Sequence, residues 1–225
     1  MFVFLFFLGL LPSLIWLSFF LQEDIHPEPR KMIFWVFIGG VVGAVGAVFC
    51  QNYFQSFLEI NHIIRDGFYP ILGFAFLEEF FKFLAAFLIV RKSKYFDEPI
   101  DAMVYMLTAA AGMAAVENVS IMFNQEIMSE RIGILIFRFL GATLLHVLSS
   151  SIVGYHWAKG IVKNRVLAGI FTGLVLATLL HAFFNYFIMV FSGGIIYSII
   201  LLAVVAFFVF YYFENLKKDG PIKTS

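Results

Sequence analysis

Seven apolar runs, each about long enough to cross a lipid bilayer, dictate what this chain can become. They cover residues 1–21, 31–50, 68–90, 101–123, 132–158, 166–190 and 194–213. A helix needs roughly 20 mostly apolar residues to cross the ~30 Å hydrocarbon core. Only helices and closed barrels satisfy their backbone hydrogen bonds there. Composition agrees: 62% of residues are hydrophobic, 13% are charged and the mean hydropathy is +0.94, whereas soluble domains carry roughly 25% charged residues. Thirty-one phenylalanines are too many for a soluble core built from 225 residues. The expectation is an all-α, polytopic helical bundle with about seven transmembrane helices. It is a multi-pass protein of the cell membrane, and its first partner is the lipid bilayer.

One domain is expected over 1–225, with the chemistry-bearing motifs inside 68–190 and a short tail at 214–225. No internal repeat is visible. The first run lacks a basic leading segment and outlasts a signal-peptide core, so it reads as a retained span. Cys50 is alone, which excludes an internal disulfide and a cysteine metal cluster. Orientation follows from Lys and Arg. With seven spans, eleven of them fall on one side, only Arg65 and Arg131 fall on the other, and Lys82 and Arg138 lie within spans. That split places the N-terminus outside and the C-terminus in the cytoplasm. The stretch "QNYFQSFLEINHIIRD" (51–66) then lies outside. Its apolar residues recur at helical spacing between polar ones, as in a helix lying in the membrane interface. The net charge of zero and the lack of a basic, aromatic-interleaved patch leave nothing to bind nucleic acid.

The third run breaks the apolar rule. "GFAFLEEFFKFLAAFLIV" (73–90) holds Glu78, Glu79 and Lys82 near its centre. Each such charge costs roughly 2.5–3.5 kcal/mol to insert and by default marks a functional site. At about 100° per residue, Lys82 projects between the two glutamates and can neutralise one. A structural ion pair needs only one acid, so the second carboxylate is left for chemistry.

Other spans offer complementary groups. The fourth has Glu117 and Asn118, the fifth Arg138, His146 and Ser149 to Ser151, and the sixth His181 with Asn185 one turn later. Taken singly, each is an ordinary interhelical bond or a snorkelling arginine. Counted at about 1.5 Å per residue from the outer ends of the spans, Glu78 lies roughly 15 Å deep, His181 about 14 Å, Glu117 about 9 Å, Asn185 about 8 Å and His146 about 21 Å. One wet pocket can hold them all. The chain has no HExxH, GxSxG or GxGD. Two routes to hydrolysis remain open. A glutamate can activate water while His and Asn stabilise the oxyanion. Alternatively His146, His181 and Glu117 can hold a divalent metal such as zinc, with Glu78 or Glu79 as the base.

"EEFFK" (78–82), "FDEPIDAMVY" (96–105), "AAVENV" (114–119), "HVLSSSIVGY" (146–155) and "HAFFN" (181–185) together resemble, in order and spacing, the PrsW-type intramembrane proteases. These are relatives of the CAAX-processing and bacteriocin-processing membrane proteases. By that resemblance Glu78 and Glu79 match the family's glutamate pair, Glu117 its later acid, and His146 and His181 its histidines. Arg138 fits the same pattern. The resemblance implies cleavage of membrane-anchored proteins, with an anti-sigma-factor-like substrate cut on its outer side. It leaves the cofactor open between a divalent metal and none. Two departures stand out: Met113 where the family has Phe, and Asn185 where some members have Asp. The second removes one ligand and tilts the expectation towards a metal-free mechanism in which Asn185 donates to the oxyanion. His146, counted as the deeper residue, points the same way. Asp97, Glu98 and Asp101 read as helix-start structure. Two rival classes are a proton-coupled transporter and a non-catalytic membrane scaffold. A transporter usually shows inverted repeats, which are lacking here, and a scaffold has no need of the full acid and histidine set.

Overall fold

The computed structural model describes residues 1–65, 67–191, 194–220 and 222. Asp66, at the end of the expected 51–66 helix, and residues 221 and 223–225 of the expected tail lie outside them. Eight α-helices are present among the described residues: α1 (Phe2–Phe20), α2 (Arg30–Ile60), α3 (Phe68–Val90), α4 (Pro99–Asn124), α5 (Met128–Leu140), α6 (Ala142–Val162), α7 (Val166–Val190) and α8 (Gly194–Leu216). Six segments are long and apolar enough to cross a membrane, with α5 and α6 counted together. Helix α3 has the same length but carries Glu78, Glu79 and Lys82 at its middle. With it the bundle matches the seven expected spans. Large apolar side chains face outward all along the bundle, among them Phe34, Val42, Leu167, Phe171 and Phe207, as a lipid-facing surface requires.

Helix α4 is the pole around which the others pack. Nearly all of its apolar stretch is buried, whereas α1, α2, α7 and α8 are mostly exposed. Its small residues explain this. A Cβ on Gly112 would come within 2.1 Å of the Phe37 carbonyl oxygen, and one on Gly40 within 2.0 Å of the Ala109 carbonyl oxygen. The backbones of α2 and α4 therefore touch through reciprocal glycines, as close membrane-helix packing demands. At the start of α4, Pro99 occupies the first turn, where its missing N–H costs nothing. The Asp101 carboxylate accepts the backbone N–H groups of Asp97 and Glu98 at 3.0 and 2.7 Å. These residues do build the helix start.

Two elements differ from expectation. The stretch 51–60 is no separate interfacial helix, because α2 runs unbroken to Ile60. Thirty-one residues make a rod of about 46 Å, longer than the hydrocarbon core is thick. The expected single span 132–158 divides at Gly141, whose φ of −113° and ψ of −95° break the helical repeat. Helix α5 is amphipathic and mostly exposed, with only Leu135 buried, while α6 is buried along much of its length.

Candidate active site

The acid pair on α3 faces two ways. Glu79 has no exposed surface, and Lys82, one turn later, is equally sealed. Lys82 Nζ donates to Glu79 Oε1 at 2.6 Å. Three more donors close around Glu79: Ser149 Oγ at 2.8 Å, Ser150 Oγ at 3.3 Å and His181 Nδ1 at 2.8 Å. A buried carboxylate survives only when paired and hydrogen-bonded in this way. Glu78, on the other face, keeps 19% of its side chain exposed. Gln51 Nε2 donates to its Oε1 at 2.9 Å, and its Oε2 stands 3.5 Å from His181 Nε2.

The partners fix the tautomers. His181 faces a carboxylate with Nδ1, so Nδ1 carries the proton and Nε2 presents a lone pair towards Glu78. Two acceptors thus confront each other at 3.5 Å. His146 takes a hydrogen bond on Nδ1 from Lys82 Nζ at 2.8 Å. Its Nε2–H therefore donates to Glu117 Oε2 at 3.1 Å. The two imidazole rings stand perpendicular, 5.1 Å apart.

Glu117 is bound a second time. Arg138 Nη2 donates to Glu117 Oε2 at 2.7 Å, and Arg138 Nε donates to Asn118 Oδ1 at 2.5 Å. Asn118 Nδ2 in turn reaches Thr143 Oγ1 at 3.1 Å. The break at Gly141 lets α5 and α6 both contribute to this corner. Gln51, Glu78, Glu117 and Arg138 line an open cleft of about 340 Å³ between α2, α3, α4 and α5. Glu79, Lys82, His146 and His181 are buried beside it, with His181 facing Glu78 and His146 bonding Glu117. Two larger grooves are almost wholly apolar and lie elsewhere, one between α1, α2 and α4 and the other between α7 and α8.

Six of the seven residues singled out in the sequence meet here: Glu78, Glu79, Lys82, Glu117, His146 and His181. Asn185 does not join them. It is half-buried on α7 and makes no side-chain hydrogen bond among the described residues. The expected ligand set of Glu117, His146 and His181 is not the one whose atoms gather. Glu78, His146 and His181 each bring a ligating atom within 4.8 Å of the other two, while Glu117 is held by Arg138 and by the outer nitrogen of His146. Gln51 is a further site residue, carried to the cleft because α2 continues past Cys50. The spacing Ala44, Ala47, Gln51, which continues one face of α2, is the signal that finds it.

Glu78 and His181 fit a divalent cation as they stand, and His146 can join them by giving up Lys82 or Glu117. Two ligands about 2.0–2.2 Å from a tetrahedral ion stand roughly 3.3–3.6 Å apart, and the Glu78–His181 pair is at 3.5 Å. The Nδ1–H of His181 bonded to buried Glu79 is the carboxylate–histidine arrangement that orients a metal-binding imidazole.

A family model described as "PrsW family intramembrane metalloprotease" matches residues 28–213. The chain belongs to the PrsW family. Among its relatives, the "Protease PrsW" of Oceanobacillus iheyensis is 28% identical over 194 residues, covering 82% of this chain and 83% of its own. The protein of the same name from Geobacillus kaustophilus is 30% identical over 161 residues, covering 70% and 68%. That of Bacillus subtilis is 27% identical over 215 residues, covering 93% and 91%. No solved structure matches. As a PrsW family member the chain is an intramembrane protease, multi-pass in the membrane, and its substrates are membrane proteins. The metalloprotease description agrees with a site able to hold a metal.

Proposed function

We propose that the chain cleaves membrane-anchored, anti-sigma-factor-like proteins at the Glu78–Glu117 cleft, with Glu78, His146 and His181 as the seat of a divalent ion such as zinc. One observation carries this reading. The line Glu79–His181–Glu78 begins in a sealed ion pair, passes through a fixed imidazole, and ends at two facing acceptors on an open cleft. Two features of the site support the metal reading over a metal-free one. His146 is the fifth residue of α6, so it is not deeper than Glu117 but in contact with it, and Asn185 is not at the site.

When bound, such an ion supplies a Lewis acid for the scissile carbonyl and a water that loses its proton near neutral pH. The chain's own groups do the rest. Glu79 never meets substrate; it holds the His181 tautomer, and Lys82 balances its charge. Gln51 pins one oxygen of Glu78 and leaves the other free. His146 can turn a nitrogen to the site only by giving up a present partner. Giving up Glu117 frees a cleft-facing carboxylate to take the proton from the attacking water. That carboxylate returns the proton to the amine when the C–N bond breaks. Arg138 lines the same cleft and is the fixed cation available to the developing oxyanion.

The whole chain is read as one protease domain, with the cleft towards the outer leaflet and the tail from Glu214 in the cytoplasm. The test is co-expression with a single-span anti-sigma-factor-like reporter. Glu78→Gln and His181→Ala should abolish cleavage while both proteins still accumulate in the membrane. Cleavage at the parent rate by either variant rejects the assignment.

A further inference from the structure

A second cluster of acids lies at the far end of α4, about 24 Å from Glu117 along the helix by residue count. Asp24 and Glu28 come from the α1–α2 linker, Asp97 from the α3–α4 linker and Asp101 from the first turn of α4. Glu28, Asp97 and Asp101 each place a carboxylate oxygen within 4.8 Å of the other two. The Tyr105 hydroxyl donates to Glu28, and the Asp97 carbonyl accepts the backbone N–H of Ile222 at 2.6 Å. The cluster therefore joins both linkers and the tail.

Among the described residues no basic side chain balances the charge of these acids. The nearby basic groups are engaged elsewhere: Lys217 with Glu23 and Glu214, Lys159 with Asp219, and His26 with Glu98. Among the described residues no lysine or arginine pairs with Asp24, Glu28, Asp97 or Asp101. Asp24 is the decisive member. It is only 5% exposed. Its Oδ1 accepts the His26 backbone N–H at 3.0 Å, but its Oδ2 is buried with no partner. Its charge bears on Glu28, and burial holds both carboxyls above their usual range. A buried, unpartnered carboxylate oxygen costs several kilocalories unless something meets it.

We propose that Asp24, Glu28, Asp97 and Asp101 form a hard divalent-cation site, for Mg²⁺ or Ca²⁺, that staples the α1–α2 linker to the start of α4. The donors are all oxygen, the set hard cations take and zinc or copper does not favour. Oxygens about 2.3–2.6 Å from one Ca²⁺ are at most ~5 Å apart, so the spread observed for Glu28, Asp97 and Asp101 needs no rearrangement, and Asp24 joins by turning its unpartnered oxygen to the ion. Both helices that begin here reach the cleft, α2 with Gln51 and α4 with Glu117.

The test uses the full chain in detergent, stripped of metal, in a His181→Ala background that disables the cleft as a competing site. Tb³⁺ is titrated and its luminescence, sensitised by Tyr105, is read. The expected result is a saturable signal of one ion per chain that millimolar Ca²⁺ or Mg²⁺ displaces; the ion acting at lower concentration names the occupant. Asp97→Asn, at an exposed position where folding is spared, should weaken binding at least tenfold. Saturating cation should raise the melting temperature by ~2–4 °C in the parent and not in this variant. A Tb³⁺ signal untouched by Asp97→Asn and Asp24→Asn, or not displaced by either ion, overturns the proposal. So does the absence of any signal. In each case the acids are held by shared protons instead.

Discussion

Replacing Lys82 by methionine is the sharpest probe of how the site is held. Lys82 is sealed, and among the described residues it bonds only Glu79 at 2.6 Å and His146 at 2.8 Å. Methionine fills much of the same volume, so the loss is mainly electrostatic. Removing one partner of a buried ion pair costs about 3–5 kcal/mol, because the other charge stays behind. Glu79 retains Ser149, Ser150 and His181, which places the expected loss near the lower end, ~3 kcal/mol. For a chain of this size each kcal/mol moves the melting temperature by about 2–4 °C, so the drop should be roughly 6–12 °C. The double variant Glu79→Gln/Lys82→Met removes both charges and should recover more than half of that loss. It should not recover cleavage, because an amide oxygen can still accept the His181 Nδ1–H but lacks the charge that makes the imidazole a strong ligand. Thermal unfolding of the four proteins in one detergent gives the full cycle. A drop below ~2 °C, or a double variant no more stable than Lys82→Met, refutes the claim that a sealed ion pair anchors the site.

Other expectations follow from the same contacts. Gln51→Leu takes the donor from Glu78 and should slow turnover roughly 10- to 150-fold, since a bond to a charged group is worth ~1.5–3 kcal/mol; kcat on a purified reporter checks this. Asn185→Ala should leave turnover within about twofold, well short of the ~2.7–4 kcal/mol lost with a true oxyanion donor. Gly40→Leu drives a side chain into the Ala109 carbonyl and should prevent stable accumulation, read by immunoblot of membranes. For topology, His62→Cys in a Cys50→Ser background should be labelled from outside by an impermeant maleimide. Labelling only after permeabilisation reverses the orientation.

Much of this architecture is legible in the residues. Most of the apolar runs, such as 1–21, 68–90, 101–123 and 166–190, end within a few residues of their helices, because lipid tolerates no other way of satisfying the backbone. Glu78, Glu79 and Lys82 announced themselves by their cost. What escaped detection lies where the apolar pattern carries no signal. The run 132–158 stays apolar enough on both sides of Gly141 to read as one span, and depth counted from its outer end places His146 one to two turns too far in. The polar residues after Cys50 looked like the start of a new element, yet α2 simply continues, and Gln51 was lost with it. Asn185 lies about 6 Å further along α7 than His181, so sharing a face did not bring it to the acids. That Glu78 rather than Glu117 gathers with the two histidines depends on which side of His146 each occupies, and spacing along separate helices does not encode that.

Metal content across four purified proteins tests the central claim most directly. The parent, Glu78→Gln, Glu117→Gln and His181→Ala are loaded with zinc, passed through a desalting column and measured by mass spectrometry. The account predicts about one zinc per chain in the parent and in Glu117→Gln, none in Glu78→Gln or His181→Ala, and no cleavage in any of the three variants. Zinc retained by Glu78→Gln but lost from Glu117→Gln, or full cleavage by parent enzyme stripped of metal, contradicts it.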